Sequence, residues 1–181
     1  MDQTGTSSLL VKNLMFDDPI RRFGSLVIIN ILINMIYRTA EFSDVKQMQR
    51  VRHLVKENTL SNPNLVPDTD VIFYISEKGK GWVCEIEDQV VGFSIVDLRD
   101  KSVWALFVAP EFEQKGIGKE LHRLMIDWYF DQTTENIELG TAPNTRAERF
   151  YLFQGWTQVG SYPNGEVKFE LSYQRWINRS L

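Results

Sequence analysis

The stretch that decides the fold is VWALFVAPEFEQKGIGK, which occupies residues 103–119. Its first part is continuously apolar and stops at Pro110, which predicts a buried strand that ends at the proline. Gly116 and Gly118 then open a helix over 116–130, in which apolar residues recur at helical spacing. The stretch therefore predicts a strand, a tight turn and an amphipathic helix in direct succession.

The glycine turn at the start of this helix suits an anionic ligand, although a glycine pair alone marks an ordinary helix start more often than a ligand site. The first N–H groups of a helix have no acceptor within it, and glycine lets a phosphate approach them closely. Lys115 and Lys119 add positive charge. A Walker loop is excluded by Glu113 and Glu120. A dinucleotide fingerprint is excluded by Leu121, which stands where a third glycine is needed.

Around this stretch, the sequence pattern predicts elements in the order β-α-α-β-β-β-α-β-α-β-β. Ser43 is expected to cap the first helix and Asp70 the second, and the glycines at 79–81 predict a turn. The predicted strands cover 36–40, 82–87, 89–98, 102–109, 137–141, 156–160 and 166–173, and the two long helices cover 116–130 and 144–154.

Composition narrows the class of protein. The chain has 181 residues, 43% of them hydrophobic, and a net charge of -4, as expected for one globular domain with a tail. It contains no Lys/Arg run or basic stripe, so nucleic acid is not an expected partner. Cys84 is the single cysteine and the two histidines lack ligand spacing, so neither a disulfide nor a metal site is expected. A reducing cytoplasm is the simplest compartment.

Residues 1–34 fall outside this pattern and are predicted to form an N-terminal extension to a domain at 35–181. The apolar run at 25–37 is too short for a transmembrane helix, and no membrane association is expected. A signal peptide is disfavoured because two aspartates precede the run and no small-residue cleavage site follows it. We expect either an extra helix or strand that covers the domain or a poorly ordered extension. Alternatively, Met35 is the physiological start.

Two blocks of the sequence resemble the motifs of a known family, the GNAT (GCN5-related) N-acetyltransferases. EQKGIG at 113–118, which follows the predicted strand, resembles motif A, Q/R-x-x-G-x-G/A. NTRAERFYLFQGW at 144–156 resembles motif B, whose usual form is N-x-x-A-x-x-F-Y-x-x-x-G-F/W. The blocks have the expected order and separation, and the resemblance covers residues 36–173.

The resemblance implies an α+β fold with a central mixed, mostly antiparallel sheet of about six or seven strands, flanked by about four helices. The sheet is expected to splay at the motif A strand and open a V-shaped slot for acetyl-CoA. The implied activity is that of an enzyme, an acyl-CoA-dependent N-acetyltransferase. It would transfer an acetyl group from acetyl-CoA to a primary amine by direct attack in a ternary complex.

The resemblance also assigns roles by position. The backbone of Leu106 and Val108 would hold the acyl carbonyl and the pantetheine arm, and Asn144 would bond the pantetheine. Tyr151 would sit near the sulfur and, as general acid, protonate the leaving thiolate. The predicted acetyl-CoA-binding residues are Leu106, Phe107, Val108, Gln114, Lys115, Gly116, Ile117, Gly118, Lys119, Asn144 and Tyr151.

Two positions depart from the family pattern. Glu113 stands where the family usually has Gln or Arg, and a carboxylate there is repelled by the pyrophosphate unless it turns outward or pairs with a lysine. Ser102 stands where some members carry a glutamate base. The base is therefore left open between Glu138, Asp97, Glu85 and an ordered water.

The identity of the acceptor is left open by the sequence. The acceptor side is expected to be built by 42–80 and by strand ends near 159–168, with Trp104 as a candidate lining residue. The acidic balance mildly favours a cationic amine. His122 is expected at the surface or flank of its helix, without a catalytic part. By analogy with relatives, a homodimer through the terminal strands is expected.

Two other classes remain alternatives. The domain could bind acyl-CoA without turnover, as a sensor, although the intact motif B counts against this. It could instead bind a nucleotide, although the failed Walker and dinucleotide patterns count against that.

Overall fold

The computed structural model of the protein describes residues 34–55 and 66–180. The predicted extension at 1–34, apart from its last residue, lies outside the described residues. Asn62, Pro63 and Asn64 predict a loop by their residue types, and they also lie outside the described residues. Met35–Leu181 form one compact unit. The domain boundary and the start at Met35 stay predictions.

One seven-stranded sheet organises this part of the chain, in the order β1-β2-β3-β4-β5-β7-β6. Neighbouring strands are antiparallel except β4 and β5, which are parallel. The predicted α+β fold with a mixed, mostly antiparallel sheet is thus confirmed. The strands are β1 (Ile36–Thr39), β2 (Gly79–Ile86), β3 (Gln89–Asp97), β4 (Ser102–Val108), β5 (Ile137–Thr141), β6 (Thr157–Ser161) and β7 (Val167–Leu171).

Helices cover both faces of the sheet. On one face, the Ser94 hydroxyl of β3 donates to the carbonyl of Leu121, and Gly92 leaves room for the same helix. On the other face, Met48 and Val51 share a buried core with Phe107 of β4. Among the described residues, the α-helices are α1 (Val45–Leu54), α2 (Asp68–Phe73), α3 (Ile117–Gln132), α4 (Arg146–Phe153) and α5 (Tyr173–Ile177).

The turn predicted at 79–81 is wrong, because these residues begin β2. A Cβ on Gly79 would lie 1.8 Å from the carbonyl oxygen of Val96, so the close approach of β2 and β3 requires glycine there. Glycine serves turns and close strand contacts alike, and the sequence pattern does not distinguish the two uses.

The predicted caps of the first two helices are also wrong. Ser43 does not cap α1; instead, the backbone N–H of Glu41 donates to the Asp44 carboxylate at 2.8 Å. α2 begins at Asp68, so Asp70 lies within its first turn, where a carboxylate favourably meets the helix dipole.

One short helix was not predicted at all. α5 follows β7 directly, and the Ser172 hydroxyl accepts a hydrogen bond from the backbone N–H of Arg175 at 3.3 Å. A serine cap was the available sequence signal.

β4 and β5 separate almost as soon as they meet. Among the described residues, Ser102 and Glu138 form the one pair between them, although both strands continue beyond it. A bulge adds to the divergence, because Ile95 and Val96 of β3 pair with residues on either side of Trp104 and leave it unpaired. Bulges bend and twist a strand. The predicted splay at the motif A strand is therefore confirmed.

Candidate active site

A cleft of about 560 Å³ opens where β4 and β5 separate. Residues 103–108 of β4 form one wall, and Leu139, Gly140 and Thr141 of β5 contribute to the other. The start of α3 and one face of α4 complete it. The remaining lining residues are Arg52, Val55, Phe112, Glu113, Gln114, Gly116, Ile117, Gly118, Lys119, Ala142, Thr145, Arg146, Ala147, Phe150, Tyr151 and Gln154.

The glycine turn directs the start of α3 towards the cleft. Gln114 and Gly116 adopt left-handed backbone conformations, with φ of 60° and 83°, and Gly116 is the residue that precedes the helix. The first intrahelical bond runs from the N–H of Glu120 to the carbonyl of Gly116 at 3.1 Å. The N–H groups of residues 117–119 precede it and have no intrahelical acceptor. They are available to an anionic ligand in the cleft.

The structure brings together most of the residues predicted to bind acetyl-CoA. All of them line the cleft except Lys115 and Asn144. The Lys115 ammonium lies 4.8 Å from the ring centroid of Phe112. Asn144 is exposed, with a φ of 62°, and its backbone N–H donates to the Glu148 carboxylate at 2.6 Å. The predicted ligand contacts of all these residues, Lys115 and Asn144 included, stay predictions.

Tyr151 is fixed by aromatic packing at the cleft. Its side chain is 7% exposed, and its ring contacts those of Phe150, Trp156 and Phe169. Burial raises the pKa of the Tyr151 phenol well above its usual value, because the charged form loses hydration. The phenol is therefore protonated at neutral pH and can serve as a proton donor.

The expectation that His122 lies at the surface is wrong, because its side chain is fully buried. Its Nε2 accepts a hydrogen bond from the indole N–H of Trp156 at 2.9 Å, and its ring lies against that of Tyr151. Burial lowers the pKa of His122 to about 3, so the imidazole is neutral. His122 thus connects α3 with the aromatic group around Tyr151.

The unusual Glu113 is paired, but with an arginine and not a lysine. Its carboxylate receives two hydrogen bonds from the Arg146 guanidinium, one of them at 2.9 Å. Arg146 begins α4, so the pair links the glycine turn to the motif B helix at the edge of the cleft. The pairing offsets the charge of the carboxylate where the family usually has Gln or Arg.

The three carboxylates considered as general bases lie on strands, as predicted, but none of them is among the described residues that line the cleft. Glu85 pairs with Arg38 at 2.7 Å, and Glu138 pairs with Lys168 at 2.7 Å. Asp97 is fully buried and lies 3.3 Å from the ammonium of Lys78. Each is held by a cation elsewhere in the fold.

Arg52 is a cleft residue that sequence reasoning missed. It belongs to the last turn of α1, and its guanidinium carbon lies 5.2 Å from the ring centroid of Trp104 and 5.4 Å from that of Phe107. A signal was available, because Arg52 follows Met48 by four positions and therefore lies on the apolar face of α1. Trp104 lines the cleft and stacks on Tyr74, and its place on the acceptor side stays a prediction.

The charge of the cleft differs from that of the whole chain. Its charged lining residues, among those the structure describes, are Arg52, Lys119, Arg146 and Glu113. Because Glu113 is already bound by Arg146, the local balance is cationic although the chain carries a net charge of -4. Overall charge is therefore a poor guide to the acceptor.

Other features of the described residues complete the setting. They contain no helix of the length and hydropathy that a bilayer crossing requires. They also contain no cluster of three or more His, Cys, Asp or Glu side chains placed to bind a metal ion.

The splayed sheet and its cleft define the class of protein, which is the GNAT fold. PaiA N-acetyltransferase from Thermoplasma acidophilum, solved in complex with coenzyme A, superposes with a TM-score of 0.68 at 12% identity. That alignment covers 78% of this chain and 100% of the other. A GNAT acetyltransferase from Staphylococcus aureus Mu50 has a TM-score of 0.66 at 17% identity, covering 77% of this chain and 99% of the other.

A third similar structure is the ribosomal-protein-S18-alanine N-acetyltransferase of Escherichia coli, with a TM-score of 0.63 at 14% identity. The alignment covers 77% of this chain and 94% of that chain.

No curated protein sequence matches this chain significantly. The sequence model of the Acetyltransferase (GNAT) family matches residues 48–156. The chain belongs to this family.

Proposed function

We propose that this protein is an acetyl-CoA-dependent N-acetyltransferase that acetylates a primary amine by direct attack in a ternary complex. The observation that carries the proposal is the cleft between β4 and β5, with the free N–H groups of α3 at one end and Tyr151 within it. Membership of the GNAT family supports the same reaction class. The structural similarity to PaiA, which was solved with coenzyme A, agrees with a CoA donor.

The donor would be held mainly by backbone groups. The pyrophosphate lies at the start of α3, where Gly118 permits close approach and Lys119 adds a positive charge. The free edge of β4 after Ser102 offers its backbone, around Leu106 and Val108, to the pantetheine arm and the acyl carbonyl. A donor bound in this way needs no metal or further cofactor for its chemistry.

The leaving group requires a proton, and Tyr151 is the proposed source. The amine attacks the thioester carbonyl, the carbon–sulfur bond breaks, and the phenol protonates the departing thiolate. The phenol carries its proton at neutral pH, so that proton is in place when the thiolate departs. Placing both reactants in one cleft supplies much of the remaining acceleration.

Deprotonation of the amine is assigned to an ordered water. Of the carboxylates in the described residues, only Glu113 lines the cleft, and Arg146 engages it. Glu85, Asp97 and Glu138 are each bound to a cation outside the lining. This arrangement predicts a rate that rises with pH as the free amine becomes available, without a second inflection from an enzyme carboxylate.

The experiment is release of free CoA thiol from acetyl-CoA in the presence of a panel of primary amines. Cys84 is the single cysteine and is buried, so a thiol reagent reports CoA with little background from the protein. Amine-dependent thiol release with transfer of the acetyl group, followed by mass spectrometry, supports the enzyme. Tight acetyl-CoA binding without release with any amine favours the sensor alternative.

A further inference from the structure

The guanidinium of Arg52 is a charged group in the cleft lining that no carboxylate of the described residues neutralises. Its Nη1 is buried and has no hydrogen-bond partner among the described residues. None of the described carboxylates forms an ion pair with it; Glu113, the acidic residue of the cleft lining, is bound by Arg146. A buried N–H group without a partner is costly to a fold, even where the rest of the side chain is half-buried, as it is for Arg52. A buried polar group without a partner calls for one, and a guanidinium that lines a cleft can find its partner in a bound ligand.

The surroundings of Arg52 hold the guanidinium ready for an anion. Its stem belongs to the last turn of α1, and the guanidinium lies over the rings of Trp104 and Phe107 at 5.2 Å and 5.4 Å. Contact with the two aromatic rings fixes the orientation of the guanidinium. Trp104 is itself fixed, by stacking on Tyr74 with ring centroids 4.2 Å apart.

The location separates this anion site from the phosphates of the donor. The phosphate-binding N–H groups belong to α3, which packs on the β3 face that carries Ser94. Arg52 belongs to α1, which packs on the opposite face, with Val51 in the core that contains Phe107. Both groups line the one cleft, but their helices pack on opposite faces of the sheet. An anion at Arg52 therefore belongs to the other reactant.

We propose that Arg52 binds a carboxylate of the acceptor, so that the substrate class is an amine carrying a nearby carboxylate, such as a free amino acid. The planar guanidinium matches a carboxylate in two parallel hydrogen bonds. The proposal rests on the proposed acetyltransferase function and adds the acceptor class to it. It also opposes the expectation, drawn from overall charge, that the acceptor is recognised as a simple cation.

The test compares free amino acids with their primary carboxamides, which keep the amine and side chain but lack the charge. In the CoA-saturated protein, amino acids should raise the melting temperature more than the matched carboxamides do. With acetyl-CoA, their KM should be about 10- to 100-fold lower, the range expected for charge-assisted hydrogen bonds. Equal protection and equal KM for acids and carboxamides contradict the proposal.

Two variants locate the effect. Arg52→Met should raise the KM of the acids about 10- to 100-fold and leave that of the carboxamides unchanged, with kcat little altered. Arg50→Met is the matched control, because Arg50 is exposed on the same helix and lies outside the cleft lining. Arg52→Met should melt close to wild type, since it removes a half-buried guanidinium whose Nη1 has no hydrogen-bond partner among the described residues and keeps an apolar side chain of similar length. An equal loss for acids and carboxamides indicates a structural role and overturns the proposal.

A final arm separates a carboxylate of the acceptor from one of the donor, and failure of the Arg52 site from failure of the acetyltransferase function. If Arg52→Met selectively impairs transfer from succinyl-CoA to a carboxamide, the carboxylate belongs to the donor and the acceptor assignment is wrong. Failure of the proposed function looks different: the wild-type protein releases no thiol with any amine. The comparison of acids and carboxamides as ligands of the CoA-bound protein still decides the role of Arg52 in that case.

Discussion

Replacing Gly118 with alanine should separate donor binding from folding. Gly118 is the second residue of α3 and lines the cleft. An added methyl group would lie 3.6 Å from Val108 Cγ2 and 4.0 Å from Phe150 Cε2, which is ordinary van der Waals contact. Because alanine is favoured over glycine in a helix by up to about 1 kcal/mol, the unliganded variant should melt at or up to about 4 °C above wild type.

Gly118→Ala should weaken the binding of acetyl-CoA, although it leaves the unliganded protein as stable as wild type or more stable. The methyl group occupies space through which a phosphate reaches the N–H groups of α3, and losing one charge-assisted hydrogen bond costs about 1.5–3 kcal/mol. Affinity then falls about 10- to 100-fold. Ligand at ~100 times the wild-type Kd stabilises wild type by about 2.7 kcal/mol. After a 100-fold loss, the same concentration contributes about 0.4 kcal/mol.

The assay is a melting curve with and without acetyl-CoA, supported by titration calorimetry. Gly116→Ala is the contrasting variant, because Gly116 has a φ of 83° and open space around the missing Cβ. It should lower the melting temperature of the unliganded protein through backbone strain of about 1 kcal/mol. The reasoning is refuted if Gly118→Ala is stable and yet binds acetyl-CoA as tightly as wild type.

Three further predictions concern single side chains. Tyr151→Phe should lower kcat about 10²- to 10⁴-fold with little change in KM or melting temperature, and an unchanged kcat contradicts the general-acid role. Glu113→Gln should change the free energy of unfolding by at most about 1 kcal/mol, since its pair with Arg146 is solvent-exposed. The same variant should bind acetyl-CoA more tightly, because it removes a carboxylate near the pyrophosphate. Weaker binding by calorimetry would contradict this expectation. The low pKa of His122 means that the unfolded chain binds the extra proton between about pH 6.5 and 3, so stability falls as pH falls, by up to about 1.4 kcal/mol per pH unit. Urea denaturation of His122→Gln should lack that part of the slope, whereas the exposed His53→Gln should keep it.

The core of the fold was predictable because its signals are local. An apolar run that ends at Pro110, followed by Gly116 and Gly118, defines a strand, a turn and a helix within one short stretch. The alternation of apolar and polar residues, together with turn residues, predicted the other strands to within a few residues of their observed bounds. The splay between β4 and β5 was expected from family resemblance, and the sequence pattern alone contains no sign of it.

The missed features depend on contacts between distant segments. Gly79 was predicted to be a turn residue because the sequence does not show its close approach to Val96. His122 was predicted to lie at the surface because the sequence does not show its hydrogen bond with Trp156. The face of the sheet on which the Glu138 side chain lies depends on the strand register. A shift of one residue moves the side chain to the other face. Arg52 is the instructive case, because a charge on the apolar face of a helix was visible in the sequence and indicates a buried or ligand-facing group.

The central claim is that the cleft between β4 and β5 binds acetyl-CoA, and thermal unfolding with saturating acetyl-CoA tests it most directly. Ligand at ~100 times its Kd should raise the melting temperature by about 5–10 °C for a domain of this size. ATP or NAD at the same concentration should not produce this rise, because the Walker and dinucleotide patterns are absent from the glycine turn. A melting temperature unchanged by acetyl-CoA would contradict the account, and the enzyme and sensor interpretations would both fail.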